Sequence, residues 1–243
     1  MGIQMKKKIA LAAAAVSILF TGAASAADLA ARPYTKAPPP VVAPIYNWTG
    51  FYIGVSGGGG WADTRWQYFG SAVNTNHDLS GWLAGGQVGY NWQAGSWVFG
   101  LEADGHWADI EGSTLCPNPA FVCGSEVRAL ASFRGRLGYA AGPVLFYGTG
   151  GAGYVDARYS ATTPAGPNFF YSTDRWGYAA GAGIEWGFAP NWSAKVEYMH
   201  YGFGGWTAPI GALSIVSTDL RLDIDTVKAG INYRFGGPII AKY

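Results

Sequence analysis

Charged side chains at alternating positions are the residues of this sequence that could do chemistry together. Within 97–108, Glu102 and Asp104 share one face of a two-residue repeat, and Trp97, Phe99 and Leu101 share the other. The same alternation extends the polar set, which comprises Glu102, Asp104, Arg128, Arg134, Arg136, Arg175, Glu185, Lys195, Glu197, Lys228 and Arg234. Because an isolated buried charge is costly, an enclosed set of this kind must be paired or hydrated. Two interpretations remain: a salt-bridged core, or a narrow water path with a basic lining and a weak preference for anions.

Other motifs that could indicate an active site fail on their context. Gly148-Thr-Gly150-Gly-Ala-Gly153 matches G-x-G-x-x-G, but a dinucleotide site needs a following helix and an alternating strand follows instead. We expect these small residues to fit a crowded interior or a curved strand. The histidines His77, His106 and His200 are scattered without metal-ligand spacing. The sequence therefore predicts no catalytic set, no metal site and no cofactor.

Two cysteines, Cys116 and Cys123, stand close together in a segment that also contains Pro117 and Pro119. In an exported protein such a pair favours a disulfide over a metal site or a catalytic thiol. We therefore expect a disulfide that staples an external loop. The alternative is two free thiols.

The N-terminal segment is typical of an export signal. Lys6, Lys7 and Lys8 precede an apolar run over 9–20, and Ala24-Ser25-Ala26 supplies a cleavage site. We assign 1–26 to a signal peptide, with an uncleaved anchor helix as the alternative. Its removal leaves 13 basic and 15 acidic residues, a net charge of −2 that offers no electrostatic argument for a nucleic-acid partner. Residues 27–46 are rich in Pro and Ala and predict an extended linker, and 47–243 form the remaining domain.

The elements that must position the charged side chains are strands. Runs of alternating character predict eight of them, at about 48–60, 81–92, 97–108, 126–139, 144–158, 175–188, 192–202 and 224–235. Tight turns at 93–96, 140–143 and 189–191 alternate with long loops at 61–80, 109–125, 159–174 and 203–223. Short periplasmic turns and long outer loops are typical of an outer-membrane barrel, so both termini and the linker are expected in the periplasm.

The composition and the tryptophan spacing favour a membrane barrel over a soluble sandwich. Only 13% of residues are charged, against about a quarter in an average chain. Tryptophans stand ten residues apart on single strands, at Trp82 and Trp92, at Trp97 and Trp107, and at Trp176 and Trp186. One membrane crossing takes about 9–11 strand residues, with aromatic girdles at both interfaces. The sequence therefore predicts an all-β fold, an eight-stranded antiparallel up-and-down transmembrane β-barrel surrounded by outer-membrane lipid.

Two strands leave their facing open. In 144–158, Asp156 and Arg158 suggest that even-numbered positions point inward. Near the C-terminus, Leu220, Leu222 and Ile224 are even, whereas the apolar positions from 227 to 235 are odd. Either a bulge lies near Asp225 or the even run belongs to the preceding loop.

The C-terminal strand ends in a pattern that barrel assembly machinery reads, a polar residue, Gly and two aromatics: Lys228, Gly230, Tyr233 and Phe235. The tail 236–243 departs from that pattern. Together with the signal peptide, the Pro-rich stretch and Trp48-Thr49-Gly50-Phe51-Tyr52-Ile53-Gly54, this strand resembles the small outer-membrane β-barrel (porin-family) proteins of alpha-proteobacteria. The resemblance implies an OmpA-like barrel, an export translocon and the assembly machinery as partners, and the outer membrane as location.

The resemblance implies several activities, because its members are described as structural proteins, porins, surface antigens and haemin binders. Our expectation is a structural envelope barrel with at most a narrow porin-like role, and no enzymatic activity. A barrel enzyme of the lipid A deacylase kind would need His-x-Ser, and His200 is followed by Gly202 at that spacing. The alternative is a binding or adhesion module whose loops expose aromatics, namely Trp61, Trp66, Tyr68, Phe121, Phe169, Phe170, Tyr171 and Trp206. Haemin enters only through the resemblance, and no histidine pair supports its axial ligation.

Overall fold

The computed structural model describes residues 46–235, apart from 69–73, 117, 119, 164–165, 167 and 210–217. The proposed signal peptide, the linker up to residue 45 and the tail 236–243 lie outside the described residues. Eight strands follow one another: β1 (Gly50–Tyr68), β2 (Asn74–Ala94), β3 (Trp97–Leu115), β4 (Val122–Ala141), β5 (Val144–Thr162), β6 (Phe169–Ala189), β7 (Trp192–Ala208) and β8 (Thr218–Phe235). Each pairs antiparallel with its neighbour in sequence, and β1 pairs with β8 to close the barrel. The prediction of an eight-stranded antiparallel up-and-down barrel is confirmed.

The two ends of the barrel differ in their connections. At the turn end, β2 to β3, β4 to β5 and β6 to β7 are joined by two-residue turns, and Gly95 and Gly142 adopt positive φ angles of 62° and 61° there. At the loop end, the connections are longer. Among the described residues, no helix is long and apolar enough to cross a bilayer.

The strands extend much farther toward the loop end than the sequence predicted. Most of the ranges 61–80, 109–125, 159–174 and 203–223 are paired strand, so their prediction as loops was wrong. For example, Trp61 to Gln67 of β1 pair with Ser80 to Asn74 of β2. These segments also alternate, but their apolar residues face inward, which is the opposite of the lipid-facing alternation by which the eight strands were predicted.

A band of exposed apolar side chains surrounds the turn-end half of the barrel. It lies between a row of aromatics at the turn end and a second row partway up the barrel. The first row includes Phe51, Trp92, Trp97, Tyr139, Trp192 and Phe235, and the second includes Trp61, Trp82, Trp107 and Trp176. Trp107 and Trp176 are 76% and 69% exposed, values that fit a lipid interface and not a soluble surface. We take the strand segments between the two rows as membrane-spanning and call the part beyond the second row the loop-end half.

Two facing predictions are corrected by the strand registers. In β5 the odd positions are buried inside, among them Leu145, Val155 and Tyr159, so Asp156 and Arg158 face outward. In β4 the register against β5 shifts between Val127 and Ala129. This bulge gives β4 an extra residue and turns Arg128 outward, where it is exposed.

The last strand needs no bulge to explain its change of apolar phase. The even positions of β8 are buried from Thr218 to Lys228, and its register against β1 is continuous. Leu222 and Ile224 face the interior of the loop-end half, whereas Val227 and Ile231 face the membrane band. The apolar phase changes because the apolar surroundings move from the inside of the barrel to the outside.

Candidate functional site

The interior of the turn-end half holds a network of eight charged side chains. We call it the ion network, and its members are Glu102, Asp104, Glu185, Glu197, Arg134, Arg136, Lys195 and Lys228. Alternation along β3, β4, β6, β7 and β8 brings them together, because each strand points every second side chain into the barrel. All eight are at most 7% exposed. Four acids and four bases leave the ion network itself without a net charge.

Arg134 is the centre of the network. Its Nη2 lies 2.6 Å from Glu102 Oε1 and 2.8 Å from Asp104 Oδ1, and its Nη1 lies 3.2 Å from Glu197 Oε1. The residue is 0% exposed. One guanidinium group therefore compensates acids from two strands, which its planar fork of donors allows and a lysine would not.

The two lysines close the network from the opposite wall. Lys195 Nζ lies 3.0 Å from Glu102 Oε1. Lys228 Nζ lies 3.5 Å from both Asp104 Oδ2 and Glu197 Oε1. Strands that are not neighbours are thus joined across the interior, which leaves this section filled by side chains, as expected for eight strands.

Two tyrosines that the sequence analysis did not select complete the lower part of the network. Arg136 pairs with Glu185 and lies 3.7 Å above the ring of Tyr147, which is a cation–π contact. Tyr52 donates to Glu102 Oε2 at 2.7 Å. The Cβ of any residue at Gly89 or Gly183 would lie within 2.5 Å of these tyrosines, so glycine is needed opposite each ring. The inward parity of both tyrosines was a readable signal in the sequence.

Three of the predicted lumen charges lie outside the ion network. Arg128 faces outward because of the β4 bulge. Arg234 lies at the turn end, where its Nη2 donates to the carbonyl of Pro190 at 2.8 Å and its guanidinium stacks on Tyr46. Arg175 faces inward in the loop-end half, 5.1 Å from the ring of Trp206. Alternation assigned a face to each residue but not a height along the barrel.

The interior of the loop-end half is apolar, and we call it the apolar plug. Its buried members are Ala62, Trp66, Leu79, Leu83, Ile110, Cys116, Cys123, Val127, Leu130, Val155, Ala157, Tyr159, Ala161, Ala179, Met199, Tyr201, Phe203, Ala208, Leu220, Leu222 and Ile224. It meets the ion network where Met199 Sδ contacts Arg134 Nη1 at 2.7 Å. The apolar plug and the ion network therefore follow one another along the barrel, and a smaller buried apolar cluster lies at the turn end, formed by Trp48, Val98, Ala140, Leu145 and Tyr147.

The apolar plug also contains most of the aromatics that were expected on exposed loops. Trp66 is 0% exposed, and Phe121, Phe169, Tyr171 and Trp206 pack against the plug. Phe170 is an exception at 66% exposure, and Trp61 lies in the upper aromatic row. Their prediction as exposed loop aromatics is wrong for those that face inward, since all but Phe121 of these lie in strands and Phe121 packs inward from the connection before β4.

Cys116 and Cys123 form a disulfide with a Cα–Cα distance of 5.0 Å. Cys123 lies in β4 opposite Thr114 of β3, and both cysteines are buried. Cys116 is the first residue after β3, so the bridge closes the connection from β3 to β4. Both of its sulfurs belong to the edge of the apolar plug.

The three histidines lie in separate places and make separate hydrogen bonds. His77 contacts Ser125 Oγ at 3.1 Å inside the loop-end half, and its burial lowers its pKa. His106 contacts Ser56 Oγ at 2.8 Å within the ion network region. His200 faces outward between Asp225 Oδ1 at 2.9 Å and the Tyr178 hydroxyl at 3.1 Å. Within the described residues, no group of three His, Cys, Asp or Glu side chains is arranged to hold a metal ion.

The outer surface of the loop-end half carries acids that have no counterpart on the membrane band. They are Asp63, Asp78, Asp109, Glu111, Glu126, Asp156, Asp174, Asp219, Asp223 and Asp225, and each stands at an outward position of its strand. Asp63 and Asp78 are direct cross-strand partners. Partial burial and the nearby Asp78 carboxylate raise the pKa of Asp63.

Comparison with known proteins gives one family and several relatives. A family model described as outer membrane protein beta-barrel domain matches residues 12–235. The 31 kDa outer-membrane immunogenic protein of Brucella melitensis is 29% identical over 91% of this chain and 98% of its own length. The 22 kDa outer membrane protein of Rhizobium leguminosarum bv. viciae is 33% identical over 80% of this chain and 81% of its own. Among solved structures, Neisserial surface protein A aligns with a TM-score of 0.42 and 16% identity over 77% of this chain and 98% of its own.

Proposed function

Because the chain belongs to the outer membrane protein β-barrel family, we propose that it serves the outer membrane as a structural barrel that does not conduct. The observation that carries this proposal is the filled interior, with a charge-balanced ion network below an apolar plug. An ion would have to break paired charges in one layer and then cross a closely packed, mostly apolar layer in the other. Apolar constrictions of this kind block ions by excluding water. The proposal therefore selects the salt-bridged core over the narrow water path.

The proposal includes an orientation, a set of partners and the lack of an enzymatic activity. The loop end faces outside the cell and the turn end faces the periplasm, as in other outer-membrane barrels. The Brucella relatives are named immunogenic proteins and not enzymes, which supports an external loop end and a non-enzymatic role. Outer-membrane lipid covers the exposed apolar band, and an export translocon delivers the chain across the inner membrane.

The barrel assembly machinery is proposed to read Lys228, Gly230, Tyr233 and Phe235 of β8. Phe235 is exposed at the turn-end row of aromatics, and its ring lies 5.1 Å from that of Tyr233. Lys228 also belongs to the ion network. One residue of the pattern therefore has a second, structural reason for its position.

Planar-bilayer recording tests the proposal. Purified wild-type protein, with insertion verified by heat-modifiable migration on a gel, is expected to give no discrete conductance steps, because both layers are closed. The double variant Arg134→Ala/Arg136→Ala opens only the ion network, so it is also expected to be silent. A known porin in the same bilayers is the positive control.

Two results would overturn the proposal. Discrete steps from the wild type that vanish in the double variant would establish a pore through this interior. Steps that appear only in the double variant would show that the apolar plug does not block ions and that the ion network alone closes the barrel.

A further inference from the structure

Among the residues that the structure describes, the interior of the loop-end half contains a cation without an acidic partner. Arg175 points inward from β6, whereas all acids of that half described above stand on the outer face. The residues of the connections that the structure leaves undescribed, including 69–73 and 210–217, contain no Asp or Glu in their sequence. The ion network cannot supply a partner either, because each of its acids is already paired with its own bases. Within the described part of the chain, Arg175 therefore has no carboxylate to compensate it.

Three hydrogen-bond donors without a partner lie on Trp206 and on the two side chains beside its ring, Arg175 and Tyr159. The Nε of Arg175, the Nε1 of Trp206 and the hydroxyl of Tyr159 are buried without a hydrogen-bond partner. The Cζ of Arg175 lies 5.1 Å from the centroid of the Trp206 ring. The rings of Tyr159 and Trp206 pack edge to face, with their centroids 5.9 Å apart. Burial raises the pKa of Tyr159 and the charge of Arg175 opposes the rise, which places the two groups within electrostatic reach. Indole and guanidinium groups can only donate, so what is missing is an acceptor.

We propose that Arg175, Trp206 and Tyr159 form a binding site for an oxyanion, a carboxylate or sulfate group of a molecule outside the cell. Such a group supplies both missing features, a negative charge and acceptor oxygens, and a guanidinium binds it with charge-assisted hydrogen bonds. Water would supply an acceptor but no charge. The partly buried rings of Phe121 and Phe169, whose centroids lie 6.1 Å apart, pack against the same plug. A purely structural barrel needs no such site, so this inference goes beyond the proposed function and does not depend on it.

Anion titration of the refolded protein tests the site. Sodium sulfate and sodium acetate are added in separate series, with chloride keeping the ionic strength constant, and the thermal unfolding midpoint is recorded. The wild type is expected to show a saturable rise for the anion that fits. Tyr159→Phe is expected to weaken that binding about tenfold, which corresponds to about 1.4 kcal/mol, and Arg175→Gln to abolish it. Arg128→Gln removes an exposed outward arginine and is the matched control, with unchanged binding.

Without added oxyanion, the same variants separate a binding role from a structural one. Arg175→Gln and Tyr159→Phe each remove a buried donor that has no partner, so their unfolding midpoints are expected to equal or exceed that of the wild type. A fall in both midpoints together with unchanged anion response would show that the residues only support the plug, and would overturn the proposal.

Two further outcomes overturn it. The first is an unfolding midpoint that rises with sulfate equally in wild type, Arg175→Gln and Arg128→Gln. Such a rise is the general stabilising effect of sulfate on proteins and does not come from this site. Crystals soaked in selenate, a sulfate analogue with an anomalous signal, are expected to show selenium within hydrogen-bond distance of Arg175, and peaks only elsewhere would rule the site out. A saturable response to acetate but not to sulfate would assign the site to carboxylates.

Discussion

The two halves of this barrel follow opposite rules for the same strands. In the turn-end half the interior is charged and the outer surface is apolar, as Arg134 and Leu101 illustrate on neighbouring strands. In the loop-end half the interior is apolar and the outer surface carries acids, as Leu79 and Asp78 illustrate on one strand. The difference shows that the surroundings decide which face of a strand is apolar. In the turn-end half the outer face is apolar because it contacts lipid. In the loop-end half the inner face is apolar because it packs inside the barrel while water covers the outer face.

Among substitutions that test the difference between the two halves, those in the ion network are expected to lower the free energy of unfolding most. Arg134→Met leaves Glu102, Asp104 and Glu197 short of a buried partner, so we expect the free energy of unfolding to fall by about 3–5 kcal/mol. Leu222→Met brings the same side chain into the apolar plug, where a volume-conserving swap costs less than about 1.5 kcal/mol. Denaturant unfolding in lipid vesicles measures both. Equal losses would show that the two interiors do not differ as described.

The next effect concerns the outer surface. Leu101→Arg or Ile184→Arg places a charge on the membrane band, with an expected cost of about 2–4 kcal/mol near the midplane. Ser80→Arg places the same side chain at an exposed outward position of the loop-end half, where a surface change is within about 0.5 kcal/mol. The same unfolding measurement applies. A large loss for Ser80→Arg would move the membrane boundary toward the loop end.

The smallest effect is a dependence on pH that is confined to the loop-end half. The pKa of Asp63 is raised in the folded protein by partial burial and by Asp78, so the folded state favours its protonated form. Stability is therefore expected to fall as the pH rises from the ordinary aspartate range, near 3.8, through the raised pKa. Because Asp63 is largely exposed, the loss is below about 1 kcal/mol.

Asp63→Asn removes this loss and should be slightly more stable than wild type at neutral pH. The free energies of unfolding of both proteins are compared from about pH 3 to about pH 8, a range that spans ordinary and raised carboxyl pKa values. Parallel curves would contradict the assigned repulsion. Asp78→Asn removes the other member of the pair and should reproduce the effect.

Much of the candidate site could be predicted from alternation, and its errors have identifiable causes. Eight of the eleven predicted charges form the ion network, because parity along a strand is a local property of the chain. Arg128 was assigned inward because one bulge residue reverses parity, and nothing in the residue types around Val127 marks that bulge. Arg175 was assigned correctly to the interior but lies beyond the ion network, beside Trp206, since parity carries no information about height.

The sequence by itself determined the strand number, the antiparallel order and the lipid-facing band, because tryptophan spacing and period-two alternation are readable in one strand at a time. Only the tertiary structure decided which alternating segments beyond the band were strand, that Tyr52 and Tyr147 complete the ion network, and that Arg175 meets Tyr159 and Trp206. The physical reason is that alternation separates the two faces of a strand but does not show which face points into the barrel. That assignment depends on closure of the barrel and on what surrounds each height, and both are properties of all eight strands together.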